Sequence, residues 1–363
     1  MQTSERTVRV GFIGAGWTER VQIPTFQLGG LTAQAICAGH VENAQRVAQR
    51  WGIPEVYASW QELITAETVD VVSIVTPPYL HREMAVAALQ AGKHVICEKP
   101  AALNVAEAEA MLAAAQAAPD QMAILDHELR FHPLRAQLRR LVRNGYVGNV
   151  LTVNMDWRYP YRLDPATPFS WHHDATRGGG MLAALGSHLL DLARWIFGRI
   201  EAISARLQIG HYYRTDPATN TPQQVTADDH AELWLRFHSG AQGTLVVTGL
   251  DPEHRGMALE VVGTDGALRL DRSDRLWGKR GAAFPNGEWE PIEPEEPLVD
   301  RAQLPIDTPF AVGSYYLARA VAGALSTGVT TLPDAASFYD GLAVQRALDA
   351  ARRSHGEMRW VQL

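Results

Sequence analysis

Two stretches place chemistry-bearing residues at the starts of helices. In "VRVGFIGAGWTER", Gly14 and Gly16 follow directly on an apolar run, with Trp17 and Thr18 next in line. A glycine pair just after a strand lets backbone N–H groups and the positive end of a helix meet a dinucleotide pyrophosphate. The full fingerprint has a third glycine for close helix packing, and Glu19 stands in its place. In "GGGMLAALGSHLLDLARWIFG", Gly178 to Gly198, a glycine-rich loop feeds a helix with His188 on the face that also holds Ala184. An imidazole there can act as a general acid or base. Asp191, one turn on, leans back toward it because helical side chains tilt to the N-terminus. Asp191 also reads, and more simply, as helix surface or as a polar contact to Arg194 at i+3.

The strand "AQAIC" runs out into Ala38, Gly39 and His40, where a ribose-binding site carries an acidic residue. Without a carboxylate to repel a 2'-phosphate, NADP is as open as NAD, although no arginine sits at this spot. Pro24 is expected to cut the following helix short. The loop "WRYPYRLDPATPFSWHHDATRGGG" offers Tyr161, His172, His173 and Asp174 as further proton-handling groups, although a histidine pair beside a tryptophan is also the pattern of loop packing. Trp17 and Trp171 are placed to stack on a cofactor or a sugar. His127 and Arg130 in "DHELRFHP" follow the fifth strand at the expected domain junction; Arg130 either meets a substrate carboxylate or hydroxyl or closes a structural salt bridge. The histidines lack ligand spacing with carboxylates or thiols, so no metal is implied.

The elements that must hold these residues follow from length and pattern. At 363 residues the chain fits two domains. A net charge of -7 with both signs interspersed argues against nucleic-acid or anionic-membrane partners. The start, "MQTSERTVRVGF", has no charged-then-apolar signal pattern, and no apolar stretch approaches the roughly 18 residues of a membrane span, so a cytoplasmic protein is expected. Cys37 and Cys97 sit inside apolar runs and read as buried, reduced thiols. From Val8 to about Asp126, "VRVGFIG", "TAQAIC", "VDVVSIVT", "KHVICEK" and "QMAILD" alternate with alanine-rich helical stretches, the signature of βαβ units and a parallel sheet buried on both faces. Beyond "LRRLVRNGYVGNV", runs such as "NVLTVNMDW", "AISARLQI", "DHAELWLRF" and "AQGTLVVTG" predict a largely antiparallel sheet, with the GGG helix between its first two strands. "GAAFPNGEWEPIEPEEPLVD" reads as a solvated excursion, and two helical stretches and a strand, "MRWVQL", close the chain. The expected domains are 1–126 and 127–363.

One run then sharpens the reading. In "VVSIVTPPYLHREMAVAALQAGKHVICEKPAAL", Thr76, Pro77, His81, the "AGKHV" at Ala91 to Val95 and the triplet Glu98, Lys99, Pro100 together resemble the glucose-fructose oxidoreductase / inositol dehydrogenase / MocA family. The likeness extends through "RFHP", "GYVGNV", the GGG helix and "DGLAVQRALDAARRS". It implies an α/β architecture: an N-terminal Rossmann domain that binds NAD or NADP, then an α+β domain whose large, mostly antiparallel open sheet serves in homodimer or homotetramer contacts. It also implies hydride transfer between a nicotinamide and a carbinol or carbonyl carbon of a sugar, a polyol or a derivative. On this reading Gly14, Gly16, Trp17, Thr18, Ala38, His40, Thr76, Pro77, His81, Glu98 and Lys99 line the cofactor.

Lys99 matches the family's lysine beside the nicotinamide and the reacting oxygen, where an ammonium stabilises developing negative charge; Glu98 either holds it charged or caps the strand end. His188 matches the family's histidine, but the aspartate four residues before it is Ala184 here. His188 then works with Asp191, or a group on the preceding loop takes over, or the chain is a non-catalytic nucleotide or sugar sensor. A tightly held NAD cycling within a net non-redox reaction is a further alternative. Lys99, His188 and Asp191 form the expected catalytic set, with Arg130, Tyr161, Trp171 and His172 toward the substrate.

Overall fold

The computed structural model describes residues 7–363, so the first half of the N-terminal stretch read above for a signal pattern lies outside the described residues. The chain divides into two compact units: residues up to His132 with Leu298–Leu342, and Pro133–Pro297 with Ala343–Leu363. The junction expected after Asp126 thus falls a few residues later, and a C-terminal segment returns to the first unit.

In the first unit the apolar runs become strands because they are covered on both faces. β1 (Arg9–Ile13), β2 (Thr32–Cys37), β3 (Glu55–Val56), β4 (Val71–Ile74), β5 (His94–Cys97) and β6 (Ala123–Leu125) pair in parallel in the order β6-β5-β4-β1-β2-β3, and Ala336–Ser337 adds an antiparallel edge beside β6. The order reverses at β1, the place where open α/β sheets bind ligands at their carboxyl ends. The crossover helices α1 (Ile23–Leu28), α2 (Val41–Trp51), α3 (Trp60–Thr65), α4 (His81–Gln90) and α5 (Val105–Ala117) start and stop where local chemistry directs. Ser59 caps α3 through Glu62 N, Asn104 caps α5 through Glu107 N, and Gly52 ends α2 in the left-handed region. Cys37 and Cys97 are free and buried, and burial pushes the Cys37 thiol up to about 12 and Cys97 well above the ordinary range.

The glycine loop departs from expectation. Pro24 follows directly on a π turn, and the helical run continues past it to Leu28, so it does not break the helix. The helix begins at Gly16 and passes through a π turn, Thr18–Gln22, before reaching it. The π turn lets the helix lie on the sheet although Glu19 replaces the third glycine. Glu19 points outward to α2, where Arg46 donates to both of its oxygens (2.7 and 2.8 Å) and Arg50 to one (3.2 Å).

The second unit is built on nine strands. β7 (Val150–Arg158), β8 (Ile200–Gln208), β11 (His230–Phe237), β12 (Gln242–Thr248), β13 (Gly256–Gly263), β14 (Gly266–Leu270), β15 (Leu276–Arg280), β16 (Glu290–Ile292) and β18 (Val361–Gln362) run in the order β16-β15-β14-β13-β7-β12-β11-β8-β18. The numbers skipped are the hairpin β9 (Tyr213–Thr215) and β10 (Pro222–Gln224), which stands apart, and β17, the Ala336–Ser337 edge above. All pairs are antiparallel except β12 with β7. β16 belongs to the proline-rich stretch expected to be a solvated excursion; its three residues gain order by pairing with β15. α6 (Pro133–Arg143), α7 (Ser187–Phe197) and the later turns of α9 (Phe338–Glu357) complete the unit, and Ser354 of α9 accepts a hydrogen bond from Ala205 N of β8. The remaining helix, α8 (Pro309–Ser326), belongs to the first unit, where Thr308 caps it. One sheet face alternates outward in a row of Trp234, Thr244, Asn154, Glu260 and Arg269. No helix among the described residues is long and apolar enough to cross a membrane.

Candidate active site

In the first unit, the carboxyl edge of the parallel sheet gathers the glycine turn after β1, Ala38 after β2, Thr76 after β4 and Lys99 after β5. Gly14 is required there: its φ is +116° and a Cβ would lie 2.2 Å from the Val75 carbonyl. Gly16 has nothing within 4 Å, so its backbone borders open space. Thr18 Oγ1 is buried without a hydrogen-bond partner among the described residues. An open turn, a helix start and an orphaned hydroxyl are what a pyrophosphate site provides. These residues fit a dinucleotide.

Trp17 is half-buried, edge-on to Phe310 of α8 at 5.8 Å with Arg20 over its face, so packing occupies part of the ring expected to stack on a ligand. His40 is exposed at the N-terminus of α2 and makes no capping bond. Thr76 and Pro77 are half-buried. His81 is fully buried, its ring nitrogens 2.8 Å from the Thr76 carbonyl and 2.9 Å from the Pro100 carbonyl; it braces the two strand ends instead of reaching outward. Burial lowers its pKa and those carbonyls work against the shift.

Lys99 and Glu98 are half-buried, and Lys99 N donates to Glu98 Oε2 at 3.3 Å. Behind them lie groups the sequence reading passed over: Gln22, Ser73, Asp126 and Glu128, all buried. The acids stood in plain view in "DHELRF", but an acid after a short strand reads as solvated until the fold covers it. Arg130 is buried, with Asp340 at 3.3 Å and the Ala335 carbonyl at 3.4 Å. Burial raises the Asp340 pKa, but Arg130 and Ser337 outweigh it and hold the carboxyl below its usual range. Arg130 closes the structural salt bridge that the sequence offered as one of its two roles.

The second unit holds the remaining candidates. His188 and Asp191 are each 1 % exposed on α7, and the His188 ring lies 6.2 Å from that of Trp157. A π turn, Leu182–Gly186, precedes them, the second such turn at the start of a helix bearing candidate residues. Ala184 is half-exposed while Met181–Ala183 and Leu185–Ala193 are buried, so the position of the missing acid opens outward. Asp228, unnoticed in the sequence, caps this helix: its Oδ2 accepts from Leu182 N at 2.7 Å and its carbonyl from Met181 N at 2.9 Å.

The loop groups separate by burial. Trp171 and His172 stack at 3.7 Å, with His172 exposed. Tyr161 is exposed, its ring 4.7 Å from Tyr159 and its hydroxyl 3.4 Å from His254 Nε2. His173 is buried against Arg162; burial first, then the charges of Arg162 and Arg214, push it down to about 4. It therefore stays neutral and its Nε2 accepts from Arg162, which leaves the ring proton on Nδ1, 3.2 Å from the Ser170 hydroxyl oxygen. Asp174 spends its carboxylate on the Thr176 N–H and hydroxyl.

Residues 8–125 match the oxidoreductase family model described as an NAD-binding Rossmann fold, and residues 136–269 match the GFO/IDH/MocA C-terminal domain. The chain belongs to the Gfo/Idh/MocA oxidoreductase family. A Synechocystis protein named as an uncharacterized oxidoreductase is 31 % identical over 366 residues, covering 99 % of this chain and 97 % of its own. Levoglucosan dehydrogenase of Pseudarthrobacter phenanthrenivorans is 28 % identical over 300 residues, 75 % of this chain and 76 % of its own. Among solved structures, an oxidoreductase domain protein from Kribbella flavida superposes with a TM-score of 0.89 at 30 % identity, covering 98 % and 99 % of the two chains. The likeness to levoglucosan dehydrogenase solved with NADH and L-sorbose, TM-score 0.88 at 24 % identity over 98 % and 99 % of the chains, is one of fold. The Rossmann unit is NAD-binding and the protein is an oxidoreductase, as its sequence leads one to expect.

Proposed function

We propose that this oxidoreductase carries out NAD-linked hydride transfer at a CH–OH carbon of a sugar, a polyol or a derivative of one. The observation that carries the reading is Lys99 at the carboxyl end of β5, on the same sheet edge as the open Gly16 turn. The turn after β1, the N-terminus of its helix, Ala38 and Thr76 hold the dinucleotide; when bound it supplies the hydride acceptor or donor. Lys99 carries an ammonium to the reacting oxygen and lowers the cost of negative charge there. His188 moves the hydroxyl proton, supported by Asp191 on the next turn of the same helix. Asp191, on the turn after His188, supplies a carboxylate on the helix whose family aspartate is replaced by Ala184, and for that reason we favour catalysis over the sensor reading. Exposed Tyr161 and His172, with half-buried Trp171, supply aromatic and imidazole surface for a sugar.

NAD is preferred over NADP, because Glu19 ties up Arg46 and Arg50, the guanidiniums of α2 nearest the glycine turn. The outward row on the nine-stranded sheet, with Trp234 57 % exposed, serves as a homo-oligomer contact. Free buried cysteines and mixed surface charge suit a cytoplasmic protein without nucleic-acid or membrane partners.

The test begins with titration of NADH and NADPH into the purified protein, following energy transfer from tryptophan, and continues with NAD+ and a sugar panel headed by levoglucosan. Micromolar NADH binding and turnover of a panel member support the reading. Absence of binding to both nucleotides, with endogenous nucleotide excluded, refutes it.

A further inference from the structure

The carboxyl ends of β5 and β6 hold three acids beside Lys99, far more buried negative charge than one ammonium can balance. The geometry of the cluster says how it is managed. Ser73 Oγ donates to Gln22 Oε1 at 2.6 Å, which fixes the orientation of the buried amide. Gln22 Nε2 then donates to Asp126 Oδ2 at 2.7 Å and to Glu98 Oε1 at 3.3 Å, using both of its hydrogens. Asp126 Oδ1 has no hydrogen-bond partner among the described residues although Asp126 is 1 % exposed. Glu128 is 3 % exposed beneath α8, where a Cβ on Gly313 would lie 2.4 Å from the Glu128 carbonyl. Glu98 and Lys99, half-buried, form the outer end of the group.

Asp126 and Glu128 are buried and Gln22 ties Asp126 to Glu98, so ionising all three carboxyls together is costly. Burial drives Asp126 and Glu128 well above the ordinary carboxyl range, and the charges of neighbouring acids push the same way. Burial also raises Glu98, against the pull of the Lys99 ammonium. The other titratable groups around the cluster are the Cys97 thiol, the imidazoles of His81 and His127, and the Arg130–Asp340 pair; α8 brings Gly313 and Ser314, which do not titrate.

We propose that Glu98, Asp126 and Glu128 share protons at neutral pH, so that the cluster presents a limited negative charge to Lys99 through the Gln22 fork. Asp126, Glu128 and Gln22 are thereby positioning residues for the catalytic ammonium. With all three acids ionised, the ammonium would be drawn back into the sheet; with all three neutral, it would lack a counter-charge. Shared protons hold it between these states and let its surroundings readjust as charge develops on the reacting oxygen. This inference rests on the role assigned to Lys99 above.

Two readouts test it on the full-length protein without substrate or cofactor. The first is infrared difference spectroscopy of the wild type between pH 7 and pH 9. A protonated-carboxyl band present at pH 7, lost on alkalinisation and weakened in Asp126→Asn or Glu128→Gln, is expected. The second is acetic anhydride labelling read by mass spectrometry. The chain has three lysines, Lys93, Lys99 and Lys279, so two serve as internal references. Asp126→Asn is expected to speed labelling of Lys99 severalfold at pH 8 while Lys93 and Lys279 keep their rates. No protonated-carboxyl band in the wild type at pH 7, or a Lys99 rate unchanged in a folded Asp126→Asn protein, overturns the proposal. Failure of NADH binding would remove the proposed function and leave both readouts intact, so the two failures are distinguishable.

Discussion

Asp228 offers a quantitative check on how the His188 helix is anchored. Its carboxyl is raised to about 6, first by burial, with the Leu182 N–H and Arg352 pulling the other way. The native state therefore holds this proton more tightly than the unfolded chain, whose carboxyl titrates near 3.8. Between those values the folded protein binds more protons, so the stability contributed by this group is full below the lower one and is lost as pH rises through about 6. Integrating the two titrations gives about 2 kcal/mol of this contribution at pH 4, about 1 kcal/mol at pH 5 and close to zero above pH 7. Asp228→Asn keeps an acceptor for Leu182 N and cannot titrate. Urea unfolding of both proteins at a series of pH values, followed by tryptophan fluorescence, reports mainly on the second unit, which holds seven of the ten tryptophans. The stability of the wild type relative to the variant should fall by about 1 kcal/mol from pH 5 to pH 7. A gap that stays constant or widens with pH over that range would refute the assignment.

Other expectations follow from single contacts. Lys99→Met should lower kcat/KM on any accepted sugar by about 10³-fold while leaving the NADH Kd within about threefold, since the ammonium acts on the reacting oxygen. His188→Ala should cost about 10²- to 10⁴-fold in turnover and Asp191→Asn measurably less; full activity in the first would remove His188 from the mechanism. Glu19→Gln should free Arg46 and Arg50 and tighten NADPH binding severalfold with NADH unchanged, read by the same fluorescence titration. Gly14→Ala should cost about 3 kcal/mol or more in thermal unfolding, because its Cβ meets the Val75 carbonyl in a backbone conformation side chains avoid.

The parallel strands were legible because strands covered on both faces are nearly continuously apolar, and "VVSI" and "HVIC" are so apart from Ser73 and His94. β3 and the Ala336–Ser337 edge, two residues each, carry no pattern of their own and exist through pairing. α8 was visible as a helix, but its membership of the first unit was not: Gly29 accepts it only because a Cβ there would lie 2.6 Å from that of Ala318, a contact nearly three hundred residues away in sequence. Lys99 was singled out by its neighbours in the chain. Asp126 and Glu128 were not, because composition says nothing about what covers an acid, and their significance comes from a glutamine more than a hundred residues earlier. Asp228 escaped for the same reason, since its partner is a backbone N–H.

The two π turns bear on how this chain should be compared with its relatives. A π turn closes its hydrogen-bonded ring with one residue more than an α turn, so Thr18–Gln22 and Leu182–Gly186 each behave as a helix into which a residue has been slipped. Counting positions from the glycines to Gln22 or to His188 therefore does not measure the angle at which either side chain emerges. A relative one residue shorter at either place would present the same group in the same direction from an ordinary helix. Single-residue deletions within these turns are thus a gentler probe of the site than any deletion a few residues downstream, where the loss would swing the whole remaining helix face.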